Sequence, residues 1–255
     1  YRPTEMVPQR GLIGFFARGI VDALDRRAVG RASVVLVANP GNLERYERMA
    51  PGKVVSVENA PEAQLFTPRD SEAPKGPFTV CFIGKKRYLP SFEVLIAVMR
   101  RHPEMSALLA GGGVVADRVE SIGADVSNVR AVGSVAYAEI PGLYEGCDVV
   151  YAMYDARVGN IRTAFPVKAY EGMASGIPVL VDSGTWIGDF VEREGVGIAV
   201  PSLDESGIES ALVRLAEDRD TALEMGRRGR KLVDERLSWE CAVKRLVSAY
   251  EGLAP

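Results

Sequence analysis

Between residues 78 and 200, short apolar segments alternate with stretches of helical periodicity, and no other feature of the sequence limits the fold as strongly. Strands are expected at 78–83, 106–110, 129–132, 149–153, 178–181 and 197–200. They are nearly continuous apolar runs, as strands covered on both faces of a parallel sheet are. The intervening segments carry helical spacing; the first places Phe92, Leu95, Ile96 and Met99 on one face. Strand–helix alternation implies right-handed crossovers, and so an α/β protein with a doubly wound parallel sheet. The tail reads as helices, from Ile208, Ala211, Leu212 and Leu215 and then Val243, Leu246, Val247 and Tyr250. Ser238 is the expected N-cap of the last one, with Glu240 in its first turn.

The first 60 residues make only two helix–strand units. Ile13, Phe16, Ala17, Ile20, Val21 and Leu24 define a helix with one buried face. Strands follow at 33–38 and 54–57, with a second helix after Asn39-Pro40-Gly41-Asn42. Two units cannot close a two-faced sheet, so this part reads as the remnant of a second Rossmann-like domain. The polar, proline-rich segment 67–77 is the expected linker, which divides the chain into 1–72 and 73–255. The opening Tyr1-Arg2-Pro3-Thr4 reads as the middle of a longer chain.

Composition removes several functions. A net charge of −3 gives no reason to expect nucleic-acid binding. No apolar run approaches the roughly 20 residues that cross a bilayer, and no signal peptide opens the sequence. The expected setting is the cytoplasm, with at most peripheral association at the inner membrane face. Cys81, Cys147 and Cys241 are expected to be reduced, buried thiols. His102, the single histidine, sits at a helix end in a surface or capping role. No residues have metal-ligand spacing, and no P-loop or Gly-x-Ser-x-Gly motif occurs.

Open parallel sheets bind ligands at the carboxyl ends of their strands. After the fourth strand of the main domain, Pro166 fits a helix start and Gly176 its stop. Backbone amides of Thr163, Ala164 and Phe165 would then face an anion at the helix tip. Lys168 in the first turn is unfavourable for an isolated helix, and a bound anion would offset it, with Arg162 as a second cation. Glu171, one turn on, could hold the diol of a ribose. Taken by spacing alone, the same residues also describe a surface lysine and a solvated glutamate. Gly84-Lys85-Lys86-Arg87-Tyr88 forms either a phosphate-binding loop or a solvated one. Gly111-Gly112-Gly113 can be a ligand loop or a simple turn, and Gly133-Ser134-Val135 could present backbone groups to a base.

Taken together, the motifs resemble the retaining glycosyltransferases of family 4, which have the GT-B fold. The matching stretches are Val57-Glu-Asn59, Phe66-Thr-Pro68, Phe82-Ile-Gly84, Leu108-Leu-Ala-Gly-Gly-Gly113 and Val132-Gly-Ser-Val135. Glu139-Ile-Pro-Gly-Leu-Tyr144, Cys147-Asp-Val149 and Pro166-Val-Lys-Ala-Tyr-Glu-Gly-Met-Ala-Ser-Gly-Ile-Pro-Val179 continue the series. Met225-Gly-Arg-Arg-Gly-Arg230 and Leu237-Ser-Trp239 complete it, in order across about residues 55 to 253.

The resemblance implies transfer of a sugar from a UDP- or GDP-linked donor to a glycan, lipid or protein acceptor, with retention and without a metal or other cofactor. It implies catalytic positions at Lys85, Arg87 and Thr163. Donor binding would fall to Gly84, Lys86, Gly133, Val135, Arg162, Ala164, Phe165, Lys168 and Glu171. Two positions depart from the family pattern: Thr163 stands where a glutamate is common, and Leu89-Pro90-Ser91 replaces the usual Lys-Gly. Lys168, in a Pro-x-Lys-x-x-Glu variant, would supply the missing cation. The departures also motivate the alternative of a non-catalytic nucleotide-sugar-binding or partner subunit; a nucleotide-sugar epimerase fits less well, for want of acidic and histidine residues at the other strand ends. With only the end of the acceptor-side domain in residues 1–72, the 255 residues are expected to bind nucleotide and transfer poorly.

Overall fold

A computed structural model of the chain describes residues 11–69 and 76–253, with residues 11–15 described by backbone alone. The first unit runs α1 (Gly11–Arg31), β1 (Val35–Val37), a 3-10 turn (Pro40–Asn42), α2 (Leu43–Met49) and β2 (Val54–Ser56). β1 and β2 pair in parallel, Val35 opposite Val54. The second unit holds β3 (Phe78–Ile83), α3 (Leu89–Arg101), β4 (Met105–Ala110), α4 (Ala116–Gly123), β5 (Val129–Val132) and α5 (Ile140–Tyr144). It continues with β6 (Val149–Ala152), α6 (Gly159–Thr163), α7 (Val167–Ala174), β7 (Val179–Asp182), α8 (Trp186–Glu194) and β8 (Gly197–Val200). Three helices close the chain: α9 (Glu205–Glu217), α10 (Arg219–Leu232) and, after a π-helical turn, α11 (Trp239–Glu251).

The six strands β3 to β8 form one parallel sheet in the order β5-β4-β3-β6-β7-β8. Connections from β3 run outward one way and those from β6 the other, so the topological switch point lies between β3 and β6. Strand alternation sends Val80, Phe82, Leu109 and Tyr151 to one face, against Phe92, Leu95 and Met99 of α3 and Leu212 of α9. Cys81, Ile83, Val150 and Val181 face the other side, against Ala169, Tyr170 and Met173 of α7 and Phe190 of α8. Both faces are dry, which is why the strands read as unbroken apolar runs.

The C-terminal segment returns to the first unit. Trp239 N donates to Pro61 O at 2.9 Å, and Arg245 Nε to Ser56 O at 2.8 Å. Arg245 also pairs with Glu58, a mostly buried carboxylate on the strand β2 side. Arg230 joins the linker to α7 by donating to Phe66 O at 2.8 Å and Ala174 O at 2.7 Å.

Two expectations change. The apolar face of α1 is largely exposed, with Phe16 at 65%, Ile20 at 62% and Leu24 at 61%. Cys241 is only half-buried, since the outer side of α11 faces solvent; Cys81 and Cys147 are buried and free as expected. The boundary near residue 72 lies outside the described residues. His102 does cap a helix, ending α3, and its ring is 2.8 Å from Glu104 and 2.7 Å from Glu209.

Candidate functional site: a two-lobed cationic cleft

Above the switch point, loops following β3, β4, β5 and β6 enclose two adjoining cavities. One, of about 930 Å³, is bounded by Gly84, the Gly111–Gly113 loop, Val114, Ser134, Val135 and Ile140. The other, of about 460 Å³, is bounded by Tyr88, Tyr154, Asp155, Asn160, Ala164 and Lys168, among others. Lys85 and Arg87 line both. They therefore stand where the lobes join.

Glycine makes the first wall possible. Gly84 ends β3 at φ +140°, a conformation that disfavours side chains, and a Cβ there would press on the Lys168 stem at 3.3 Å. The Gly111–Gly113 loop locks against the loop after β3: a Cβ on Gly113 would lie 2.7 Å from Lys86 N. The triplet is thus fitted closely against the neighbouring loop and forms one wall of the cavity.

The charges are uneven. Lys85 and Arg87 are exposed, and among the described residues neither has an ion-pair or hydrogen-bond partner. Lys168 is 6% exposed, donates to Tyr154 Oη, and holds its ammonium 3.8 Å from the Phe82 ring centroid and 4.7 Å from that of Tyr154. Asp155 is the sole carboxylate on either cavity wall among the described residues, and it is already neutralised. It accepts from Arg157 Nε at 2.8 Å, Arg157 N at 2.9 Å and Tyr88 Oη at 2.8 Å. The hydrogen-bonded Arg157 guanidinium holds its carboxyl well below the usual carboxylate range. The cleft keeps three cations and no free anion of its own. Such a cleft stabilises a ligand with a negatively charged middle.

Of the residues expected at the site, some line the two cavities and others do not. Gly84, Lys85, Arg87, Val135, Ala164 and Lys168 line the cleft. Lys86 does not: residues 85–87 alternate exposed, buried, exposed, and Lys86 turns inward to donate to Val132 O at 2.8 Å. Burial lowers the pKa of that lysine, while Glu120, 4.0 Å away, raises it. Arg162 is exposed on α6, bonded to Ala156 O at 3.2 Å. Phe165 turns into the aromatic core, stacked on Tyr170 at 3.8 Å and edge-on to Phe190 at 5.2 Å. Gly133 is exposed and not part of the lining, its carbonyl accepting from Gly111 N at 3.0 Å. Thr163 bonds Asn160 O at 3.4 Å and does not reach the cleft.

α7 starts at Val167, one position after the expected Pro166, which is instead its N-cap, and Ala164 N is spent on Ile161 O. The first-turn amides therefore belong to Val167 and Lys168, not to Thr163, Ala164 and Phe165. Gly176 ends the helix at φ +69° as expected. Glu171, 4% exposed, accepts from Tyr144 Oη at 3.0 Å through Oε2, and its Oε1 has no hydrogen-bond partner among the described residues. Burial raises its pKa, against the lowering effects of the Tyr144 hydrogen bond and the Lys168 charge.

Tyr88, Tyr154, Asp155 and Arg157 were not singled out from sequence. Tyr154 and Asp155 lie in the loop after β6, the strand at the switch point, and that position was the available signal. Asp182 at the end of β7 braces their loop by accepting from Tyr154 N and Ser202 Oγ, both at 2.6 Å. Among the described residues no group of three His, Cys, Asp or Glu side chains is placed to hold a metal ion.

Sheet order and switch point define a Rossmann-like domain of the GT-B type. The profile of the family described as glycosyl transferases group 1 matches residues 77–218, more than half of the sequence, and the chain belongs to that family. It is 24% identical over 183 residues to a GDP-mannose-dependent alpha-(1-6)-phosphatidylinositol monomannoside mannosyltransferase of Mycobacterium tuberculosis, covering 69% of this chain and 48% of that protein. It is 25% identical over 256 residues to a D-inositol 3-phosphate glycosyltransferase of Corynebacterium kroppenstedtii, covering 91% and 54%. The chain spans about half the length of the curated relatives it matches. Among solved structures, sucrose-phosphate synthase of Thermosynechococcus elongatus superposes with a TM-score of 0.72 at 22% identity, over 96% of this chain and 62% of that one. HepE of Anabaena, solved with UDP, gives 0.74 at 16% identity, over 91% and 68%.

Proposed function

We propose that the protein transfers a glycosyl group from a nucleoside-diphosphate sugar, UDP- or GDP-linked, to a glycan, lipid or protein acceptor with retention of configuration. The observation that carries this reading is the position of Lys85 and Arg87 at the join of the two lobes, with Lys168 beside them. A ligand whose charge lies between two uncharged ends matches that arrangement. The nucleoside occupies the larger, glycine-walled lobe, the diphosphate bridges the cations, and the sugar enters the smaller lobe. Glu171, which lines neither cavity, is assigned to the ribose through Oε1. As the sugar–phosphate bond breaks, charge grows on the leaving diphosphate, and preorganised cations stabilise it. In this reading side chains, not a divalent cation, meet that charge.

The relatives support the donor class: HepE was solved with UDP and with UDP-glucose, and the mannosyltransferase is GDP-mannose-dependent. We place the activity at the cytoplasmic side of a membrane or in the cytoplasm; no helix among the described residues is long and apolar enough to cross a membrane. A thermal-shift panel of nucleosides, nucleoside diphosphates and nucleotide sugars tests the proposal. Saturating donor at 100 times its Kd should stabilise the chain by about 2.7 kcal/mol. Stabilisation by no nucleotide in the panel would overturn it.

A further inference from the structure

We propose that Gly41, in the turn of the first unit, is a positioning residue that sets where the sugar-facing wall of the smaller lobe stands. The inference rests on the donor site proposed above. That wall is the segment from Val158 to Pro166: Val158, Asn160, Ile161, Ala164 and Pro166 line the same lobe as Lys85 and Arg87. Its backbone carries the turn Pro40–Asn42 directly against it. A Cβ built on Gly41 would lie 2.8 Å from Thr163 Cα, 2.9 Å from Thr163 C, and nearer still to the carbonyl oxygen. All three are main-chain atoms, so no side chain can swing aside.

The reason for glycine here is contact, not conformation, since Gly41 is not among the positive-φ residues. The turn is also stiff. Pro40 fixes its φ, Asn39 Oδ1 accepts from Gly41 N at 3.3 Å, and Asn42 N donates to Asn39 O at 3.0 Å. Pro40 and Asn42 are buried. A rigid turn seated on the backbone of α6 fixes the depth of the wall relative to Lys85 and Arg87, which follow β3, and Lys168 of α7. The first unit thereby reaches the donor sugar without offering it a side chain. The same contact accounts for Thr163 lying off the cleft: its main chain is the seat of the turn.

Gly41→Ala tests this. Ordinary Cβ contacts begin at 3.4 Å, so the two backbones must part. A separation of roughly 1 Å at a reacting group can cost about 10²-fold. Calorimetric titration of the chain with UDP and GDP, and with UDP-glucose and GDP-mannose, separates the lobes; unfolding is followed in parallel. The variant should bind whichever nucleoside diphosphate the parent binds within about twofold, while the Kd for the matching nucleotide sugar changes by about tenfold or more. Asn39→Ala, which loosens the turn without filling the contact, should move the same ratio in the same sense by less. Gly19→Ala, where a Cβ meets nothing within 4 Å, should leave it unchanged. An unaltered ratio in a folded Gly41→Ala chain overturns the inference, as does equal weakening of diphosphate and nucleotide sugar in both turn variants. Failure of the parent chain to bind any of the four ligands instead overturns the donor site.

Discussion

Replacing Lys168 by methionine isolates the charge at the centre of the cleft. Methionine keeps an apolar stem over the Phe82 ring, which the ammonium approaches to 3.8 Å, and deletes the cation. The position is 6% exposed, and no salt bridge involves it among the described residues; the Glu171 charge acts on it only at longer range. A hydrogen bond from such a charged donor contributes about 1.5–3 kcal/mol. At about 1.4 kcal/mol per decade, nucleoside-diphosphate affinity should fall about 10- to 150-fold. Lys85 is exposed, and an exposed charge pair contributes about 0.2–1 kcal/mol, so Lys85→Met should cost about fivefold at most. The matching nucleoside, which lacks phosphates, should bind both variants like the parent. Lys168→Met should also unfold no earlier than the parent, since a buried charge without a carboxylate partner has been removed. The assay is calorimetric titration with diphosphate and nucleoside, with chemical denaturation alongside. Diphosphate affinity unchanged in Lys168→Met, or an equal loss for the nucleoside, would refute the reasoning.

Three further outcomes follow from named contacts. Glu171→Gln should weaken nucleotide binding by about 10- to 150-fold, through loss of a charged acceptor for the ribose, yet raise stability at pH 7. The sign follows from burial raising the Glu171 pKa: the native state is penalised once the unfolded chain releases its proton, near pH 4.3, and increasingly so up to the raised native value. The advantage of glutamine should thus vanish in denaturation at lower pH. The His102 pKa is raised by its hydrogen bonds to Glu104 and Glu209, so its contribution is full below about pH 6.5 and is lost as pH climbs through the raised value. His102→Gln should flatten that slope, by less than about 1 kcal/mol because the cluster is partly exposed. Gly226→Ala should destabilise by about 1–3 kcal/mol or more in denaturant titration, since its Cβ would meet the Gly176 carbonyl carbon at 2.6 Å, behind α7.

The sheet was legible because burial on both faces writes itself into sequence as unbroken apolar runs; 78–83, 129–132 and 197–200 coincide with the observed strands. The caps of α7 and α11 were legible through Pro166, Gly176 and Ser238, whose backbone chemistry is local. Side-chain direction was less so. Lys85, Lys86 and Arg87 look alike in sequence, but a one-residue rotation separates a cleft cation from one buried against Val132 O. Phe165 was assigned to the ligand because of its neighbours, whereas its own ring prefers Tyr170 and Phe190. Convergence between distant segments left no local trace: Tyr88 meets Asp155 across 67 positions, and Gly41 meets Thr163 between units. The open face of α1 shows the limit of periodicity, which marks a face as apolar without saying what covers it.

The central claim is that the join of the two lobes holds a diphosphate. A crystal structure of the chain with the best-binding nucleoside diphosphate tests it most directly. The account predicts both phosphates within hydrogen-bonding reach of Lys85, Arg87 and Lys168, with the nucleoside beside Val135 and the ribose at Glu171 Oε1. A diphosphate bound elsewhere, or lying in the cleft with its phosphates turned away from these three cations, would contradict it.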